Sequence, residues 1–450
     1  MRYSYSSRLV FTLVGLSILC GPSPRSQSAE PSWGQWRGPQ RDGQSIGGKW
    51  PETLGDRLKM VWEVELGPSY SGPVTSGDLV FTTETVDKQF ERVTAFKLET
   101  GQQVWTTKWE GAMAVPFFAA SNGDWIRATP ACDENNLVVA GMRDVLVCLD
   151  TKTGKEKWRV DFAKQFGDPL QAFGCVCSPV IDGDAVYIQV GGGTTKLSLA
   201  DGKMIWQTLK GGDSMITGGA FSSPIIATVT GQRQLVVATR DRLAGVSLED
   251  GRELWSEPIE SFRGMNILTP VVAGDRLFSS AHSGRSRMFN VSMNDGSVAK
   301  VDQVWDNKAQ AYMSTPVVVG DHLYMHMKNE RFVCMSLADG TEKWTTQPFG
   351  KYWSMVASPE SGSILALAAD GQLRLIAADT DAFRLLAETK VADDSWAHLA
   401  VQPVAGGAVQ PVAGGAVQPV AGGAVQPAAD GAGFWVMVRA LDRLRIYRWQ

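Results

Sequence analysis

The sequence predicts an all-β fold: an eight-bladed β-propeller of four-stranded antiparallel blades, closed by an N-terminal strand completing the C-terminal blade. Three observations predict it. A phrase of about 40–50 residues returns down the chain, a length and regularity that mark propeller blades. A glycine and a tryptophan recur inside that phrase at a fixed spacing. A lone strand at the start of the chain matches a missing strand at its end.

The phrase opens on Ser/Thr-Pro-Val or a near variant, passes a Gly-Asp turn into an apolar strand, and closes on an acidic-Gly turn and a Trp. From Cys177 it reads CSPVIDGDAVYIQVGGGTTKLSLADGKMIW, and from Ser314 STPVVVGDHLYMHMKNERFVCMSLADGTEKW. Related openings stand at Ser71, Ala128, Ser223 and Thr269. Gly101/Trp105, Gly154/Trp158, Gly202/Trp206, Gly251/Trp255 and Gly340/Trp344 are each four residues apart. Glycine supplies the positive φ of a tight hairpin turn, and the Asp or Thr before it bonds the local backbone. A large flat Trp once per unit can be buried against the next unit. Trp62, Trp105, Trp158, Trp206, Trp255, Trp305 and Trp344 are therefore expected to dock blade on blade.

The end of the chain needs the closure. A degenerate unit, 354–389, has Asp379-Thr380-Asp381 as its turn and Leu385 where Trp is expected. The last unit, from Trp396 to Trp449, lacks an outer strand, whereas 60–66 (MVWEVEL) is a strand with no blade before it. Joining them removes the exposed edges of an open array and makes eight blades; seven is the alternative if the last unit does not form. The octamer AVQPVAGG at 400–407, 408–415 and 416–423, followed by AVQPAADG at 424–431, reads as a tandem expansion bulging from the last blade as a low-complexity loop, since a longer surface loop costs little.

Around this core, residues 1–29 read as a signal peptide. Arg2 and Arg8 precede an apolar run, 9–20, shorter than the ~20 residues a bilayer span needs. The bulky Leu19 before Cys20 argues against a lipid anchor. Residues 30–59 form an N-terminal extension and 60–450 a single propeller domain. A net charge of −4 gives no basic footprint for nucleic acid, and no later apolar stretch is long enough to span a membrane. Five cysteines remain after cleavage (132, 148, 175, 177 and 334), an odd number that reads as small buried residues and not as a disulfide framework.

The Asp150-Thr151-Lys152-Thr153-Gly154-Lys155-Glu156-Lys157-Trp158 element and its variants resemble the PQQ-like (quinoprotein-type) β-propeller repeat family from about Trp33 to Trp449. The resemblance implies a Trp-bearing turn that docks neighbouring blades. It also implies one of two functions, that of quinone-dependent alcohol or glucose dehydrogenases or that of non-catalytic relatives such as the outer-membrane assembly factor BamB. Size and blade count are similar to the second kind. The opening Trp33-Gly34-Gln35-Trp36-Arg37-Gly38-Pro39 resembles the start of exported propellers of environmental bacteria.

Chemistry is scarce. The adjacent cysteines that the resemblance implies for a quinone enzyme are absent, Cys175-Val176-Cys177 having a spacer. There is no haem, nucleophile-elbow, phosphate-loop or EF-hand motif. His322 and His326, in a strand slot, would sit ~13 Å apart and cannot share a metal. No catalytic residue and no metal site is assigned. The long connections between one blade's outer strand and the next blade's inner strand share one face and carry Phe117, Phe118, Trp125, Arg127, Asp213, Met215, Arg263, Asn266, Tyr312, Tyr352 and Trp353. Loops on a rigid scaffold concentrate function, and aromatics with Arg are what interfaces favour. The expectation is an exported (periplasmic or secreted), monomeric scaffold without cofactor, binding a protein, peptide or polysaccharide through this face. The alternative is a quinone-dependent oxidoreductase holding PQQ with calcium at the channel mouth.

Overall fold

The repeat phrase folds into blades because each of its hairpin turns returns an apolar strand onto the one before. The computed structural model describes Met1 and residues 32–212, 214, 217–294, 298–404 and 433–450. The expected signal peptide with Cys20, residues 405–431 of the octamer tract, and Asp213 and Met215 lie outside the described residues. Pro31–Gln450 forms one unit of eight four-stranded antiparallel sheets arranged as propeller blades. Seven are consecutive in sequence, spanning 74–110, 131–161, 180–208, 225–258, 271–307, 317–345 and 354–390. The eighth orders Ala400–Pro403, Phe434–Arg439 and Arg443–Trp449 from the inside outward, and its outermost strand is Leu58–Glu65. That strand pairs in antiparallel register from Leu58 opposite Trp449 to Glu65 opposite Arg443, so the ring closes as expected.

Every outermost strand pair carries a one-residue register shift. In the pair holding Trp158, Cys148 faces Trp158 and Leu149 faces Glu156, which leaves Lys157 bulged. A bulge twists the strand and re-aims the next side chain. It turns the tryptophan toward the next blade and leaves the preceding residue outside, as with Val104, Ile205 and Val304, all exposed. The bulge also corrects the degenerate blade. Leu385 pairs with Ile376 and Ala387 with Leu375, so Ala387, not Leu385, occupies the tryptophan position.

The tryptophans dock as expected, with two variations. The indole N–H groups of Trp62, Trp105, Trp158, Trp305 and Trp344 donate to Leu98, Thr151, Leu199, Leu337 and Asp379 carbonyls of the following blade. Gly202, at φ +71°, lies under the Trp158 ring, where an added methyl would stand 2.7 Å from a ring carbon. Trp206 covers Gly251 in the same way, but its buried indole nitrogen has no partner. Trp255 donates to Gln234 Oε1 within its own blade.

Residues 33–57 make contacts that the repeat did not foreshadow. Trp33 exchanges hydrogen bonds with Thr75, Gly34 O accepts from Cys132 N, and Gln35 Oε1 accepts from Ile181 N. Arg37 donates to Pro316 O (2.6 Å), Arg41 to Pro179 O (2.7 Å) and Ser178 O (3.0 Å), and Gln44 to Val318 O (2.7 Å). Ser45 N then donates to Ala357 O. These partners lie on or at the start of the innermost strands of blades one, two, three, six and seven, so the segment plugs the central channel. Beyond it Trp50 packs 5.3 Å from Trp449, with Leu54 fully buried, before the closing strand begins.

Candidate functional site: the channel mouth

Each blade opens with an extended step before its first strand, and extended backbone aims alternate residues the same way. Arg127/Thr129, Val176/Ser178, Phe221/Ser223, Met313/Thr315 and Trp396/His398 are such pairs, and all line one cavity of about 240 Å3 at the channel mouth. Trp36 of the plug lines it, and the guanidinium groups of Arg37 (5.7 Å) and Arg41 (5.6 Å) both stack against the Trp36 ring. Among the described residues the wall contains no Asp or Glu.

Aromatic contacts run around the mouth. Tyr70 stacks on Trp396 at 5.0 Å, Trp396 meets Tyr352 at 4.8 Å, and Tyr352 meets Tyr312 at 6.2 Å. His282 continues from Tyr312 to Phe262 at 5.4 and 5.3 Å. On the other side Phe118, Phe173 and Phe221 follow one another at 6.1 and 5.7 Å. Edge-to-face and offset geometries of this kind hold aromatic side chains rigidly. Cations stack on the same rings: Arg240 on Phe221 (4.7 Å), Arg263 on Phe262 (5.1 Å) and Lys351 on Tyr352 (4.7 Å).

Of the residues expected on this face, Arg127, Tyr312, Tyr352 and Trp353 line the cavity. Arg127 donates to Gly123 O at 2.7 Å, and burial lowers its pKa to about 10, leaving it cationic at neutral pH. Phe117 and Phe118 stand outside the cavity, 91% and 49% exposed. With Phe166 and Phe262 they are the exposed phenylalanines among the described residues, and all four sit on connectors of this face. Trp125 is half-buried and off the cavity wall. Arg263, at φ +53°, borders a neighbouring recess. Asn266 is buried and donates to the Thr239 and Arg240 carbonyls, a structural task. Sequence reading missed Trp36, Tyr70, Phe173, Phe221, Trp396 and His398. For Tyr70, Phe173 and Phe221 the signal was an aromatic shortly ahead of a Ser-Pro or Ser-Gly-Pro opening; Trp36, on the plug, left none. His326 is stacked on Trp353 at 4.5 Å and held neutral by burial, its pKa lowered to about 4. The five described cysteines are all free and buried, as read from their odd number.

With this geometry in view, the chain was compared with known proteins. The family profile described as Outer membrane protein assembly factor BamB matches residues 89–346. The chain is similar to the BamB of Shewanella oneidensis, 24% identical over 249 residues that cover 51% of this chain and 60% of that one. It is 21% identical to the BamB of Yersinia pestis over 360 residues, 77% of this chain and 84% of that one. Among solved structures it resembles BamB from Moraxella catarrhalis (TM-score 0.57, 13% identity, 87% of this chain and 97% of that chain). It also resembles quinohemoprotein alcohol dehydrogenase from Comamonas testosteroni (TM-score 0.60, 10% identity, 93% and 80%). At such identities the structures speak for the propeller alone. The expectation against a lipid anchor at Cys20 is not borne out by relatives whose name places them in outer membrane protein assembly. Among the described residues no helix is long and apolar enough to cross a membrane.

Proposed function

The chain belongs to the family described as outer membrane protein assembly factor BamB, and on that premise we propose that it is an exported, non-catalytic scaffold, monomeric in the cell envelope, that binds a protein or peptide partner through its connector face. The observation that carries the reading is the placement of Phe117, Phe118, Phe166 and Phe262, exposed together on the face that surrounds the aromatic mouth. Isolated apolar residues on a surface mean little, whereas aromatics gathered with arginines around a recess are what a docking site requires. The names of the relatives support a role beside other proteins in assembling the outer membrane.

The quinone alternative fits the residues poorly. A calcium ion is usually held with carboxylate ligands among its oxygens, and among the described residues the cavity wall carries none, offering only Asn, Ser, Thr and Tyr side-chain oxygens. Among the described residues no three His, Cys, Asp or Glu side chains gather to hold a metal.

The test is partner capture from the organism's envelope by the Phe117→Ala/Phe118→Ala double variant, two exposed positions whose loss leaves the core intact. Capture of a discrete partner by the parent chain, reduced tenfold or more (roughly the effect of two lost aromatic anchors), is expected. Undiminished capture by the folded double variant would overturn the choice of face.

A further inference from the structure

The cavity above Trp36 combines three features that a docking face alone does not explain. Its wall is aromatic and, among the described residues, free of carboxylates. Arg127 stands in that wall with its buried Nε–H unpartnered, and among the described residues no carboxylate comes within ion-pair distance of it. Against the Trp36 ring, Arg37 and Arg41 bond only backbone carbonyls, and their Nε–H groups are likewise buried without partners among the described residues. A buried guanidinium normally has a carboxylate or a full set of acceptors, because an uncompensated buried charge is costly. Three such cations around one small aromatic recess leave a positive potential that Asp124 near Arg127 and Asp42 near Arg37 offset only at a distance, none of the three arginines being in an ion pair among the described residues.

We propose that the mouth cavity receives one apolar side chain of a partner peptide, whose neighbouring Asp or Glu carboxylate pairs with Arg127. The inference rests on the connector face being the docking face and names the partner's chemistry: an acidic segment with an aromatic or large aliphatic residue at its tip. A cavity of about 240 Å3 has room for one such side chain and not for a folded element. The apolar side chain lies on Trp36 between the Tyr352 and Phe221 sides of the mouth. The carboxylate supplies the acceptor that Arg127 lacks, in the charge-assisted geometry that guanidinium favours. Arg37 and Arg41, behind the indole, add attraction at longer range in a low-dielectric surrounding.

The probe is the pentapeptide acetyl-Gly-Glu-Phe-Glu-Gly-amide, titrated calorimetrically into the full chain beside versions with Gln for both Glu or Ala for Phe. One saturable site is expected. Binding should weaken roughly tenfold or more, the worth of a charge-assisted hydrogen bond, for either altered peptide or for the Arg127→Gln variant, and it should weaken with rising salt. Tyr312→Ala, which opens the wall without touching a charge, gives a second variant if Arg127→Gln fails to fold. Equal binding of the Glu and Gln peptides overturns the proposal. So does N-acetylphenylalanine binding as tightly as the pentapeptide, which would make the cavity a small-molecule site. No peptide binding to the parent chain, with partner capture still dependent on Phe117 and Phe118, refutes this inference alone, whereas undiminished capture by the folded Phe117→Ala/Phe118→Ala variant refutes the reading beneath it.

Discussion

Replacing Trp158 by alanine tests the blade-to-blade contact on which the ring depends. The side chain is 7% exposed, its ring covers Gly202 of the following blade, and its indole N–H reaches Leu199 O at 2.7 Å. Emptying a buried aromatic site costs about 3–5 kcal/mol, because transfer free energy and a cavity are lost together. The Leu199 carbonyl left without its donor adds about 1 kcal/mol. Trp206 is the internal control: it makes the same contact with Gly251, but it is only partly buried and its indole nitrogen has no acceptor to lose. Trp206→Ala should cost about 2 kcal/mol, near the low end for large-to-small changes. Urea unfolding of both variants, followed by tryptophan fluorescence and circular dichroism, reads the difference. Equal or reversed costs for the two variants would refute the assignment of the hydrogen-bonded tryptophans as the stronger blade locks.

The remaining predictions concern groups buried between blades. Arg41→Met keeps the side chain's bulk but leaves Ser178 O and Pro179 O without donors; a loss of about 2 kcal/mol in urea unfolding is expected, and an unchanged midpoint would mean the plug is not seated. Glu91, buried between Trp109 Nε1 and Met142 N, has its pKa raised from 4.5 to about 7 by burial. A raised carboxyl pKa means the folded chain holds its proton more tightly than the unfolded chain. Its contribution is therefore full below pH 4.5 and is lost as pH rises through about 7, a change of about 3 kcal/mol. Glu91→Gln should flatten that decline relative to the parent when unfolding is compared at pH 5 and pH 7.5; a parallel pair of profiles would contradict it. The wild-type profile alone would mislead, since His326, lowered to about 4, acts in the opposite direction.

The blade count and the closing strand were legible because they rest on local chemistry: turn residues, strand alternation and one tryptophan per unit. The bulge before each tryptophan was not. It inserts one residue without changing the glycine-to-tryptophan spacing, so Leu385 was placed where the structure has Ala387. The plug was invisible for a different reason. Arg37 reaches Pro316 and Gln44 reaches Val318 across more than half the chain, and a segment that fits a channel once leaves no period to detect. The site was half legible. Connector loops announced themselves by breaking the repeat, which found Arg127, Tyr312, Tyr352 and Trp353. Tyr70, Phe221 and Trp396 escaped because they sit at the edge of the repeat phrase itself, where an aromatic before a small residue reads as the start of a strand.

The most direct test of the docking face is site-specific photo-crosslinking in the living cell. A photoreactive phenylalanine analogue replaces Phe117 on the connector face, and in a second strain Asp321, in the turn between the two inner strands of its blade. The account predicts one discrete crosslinked partner from position 117 and none from position 321. The same crosslink from both positions, or from position 321 alone, would contradict it.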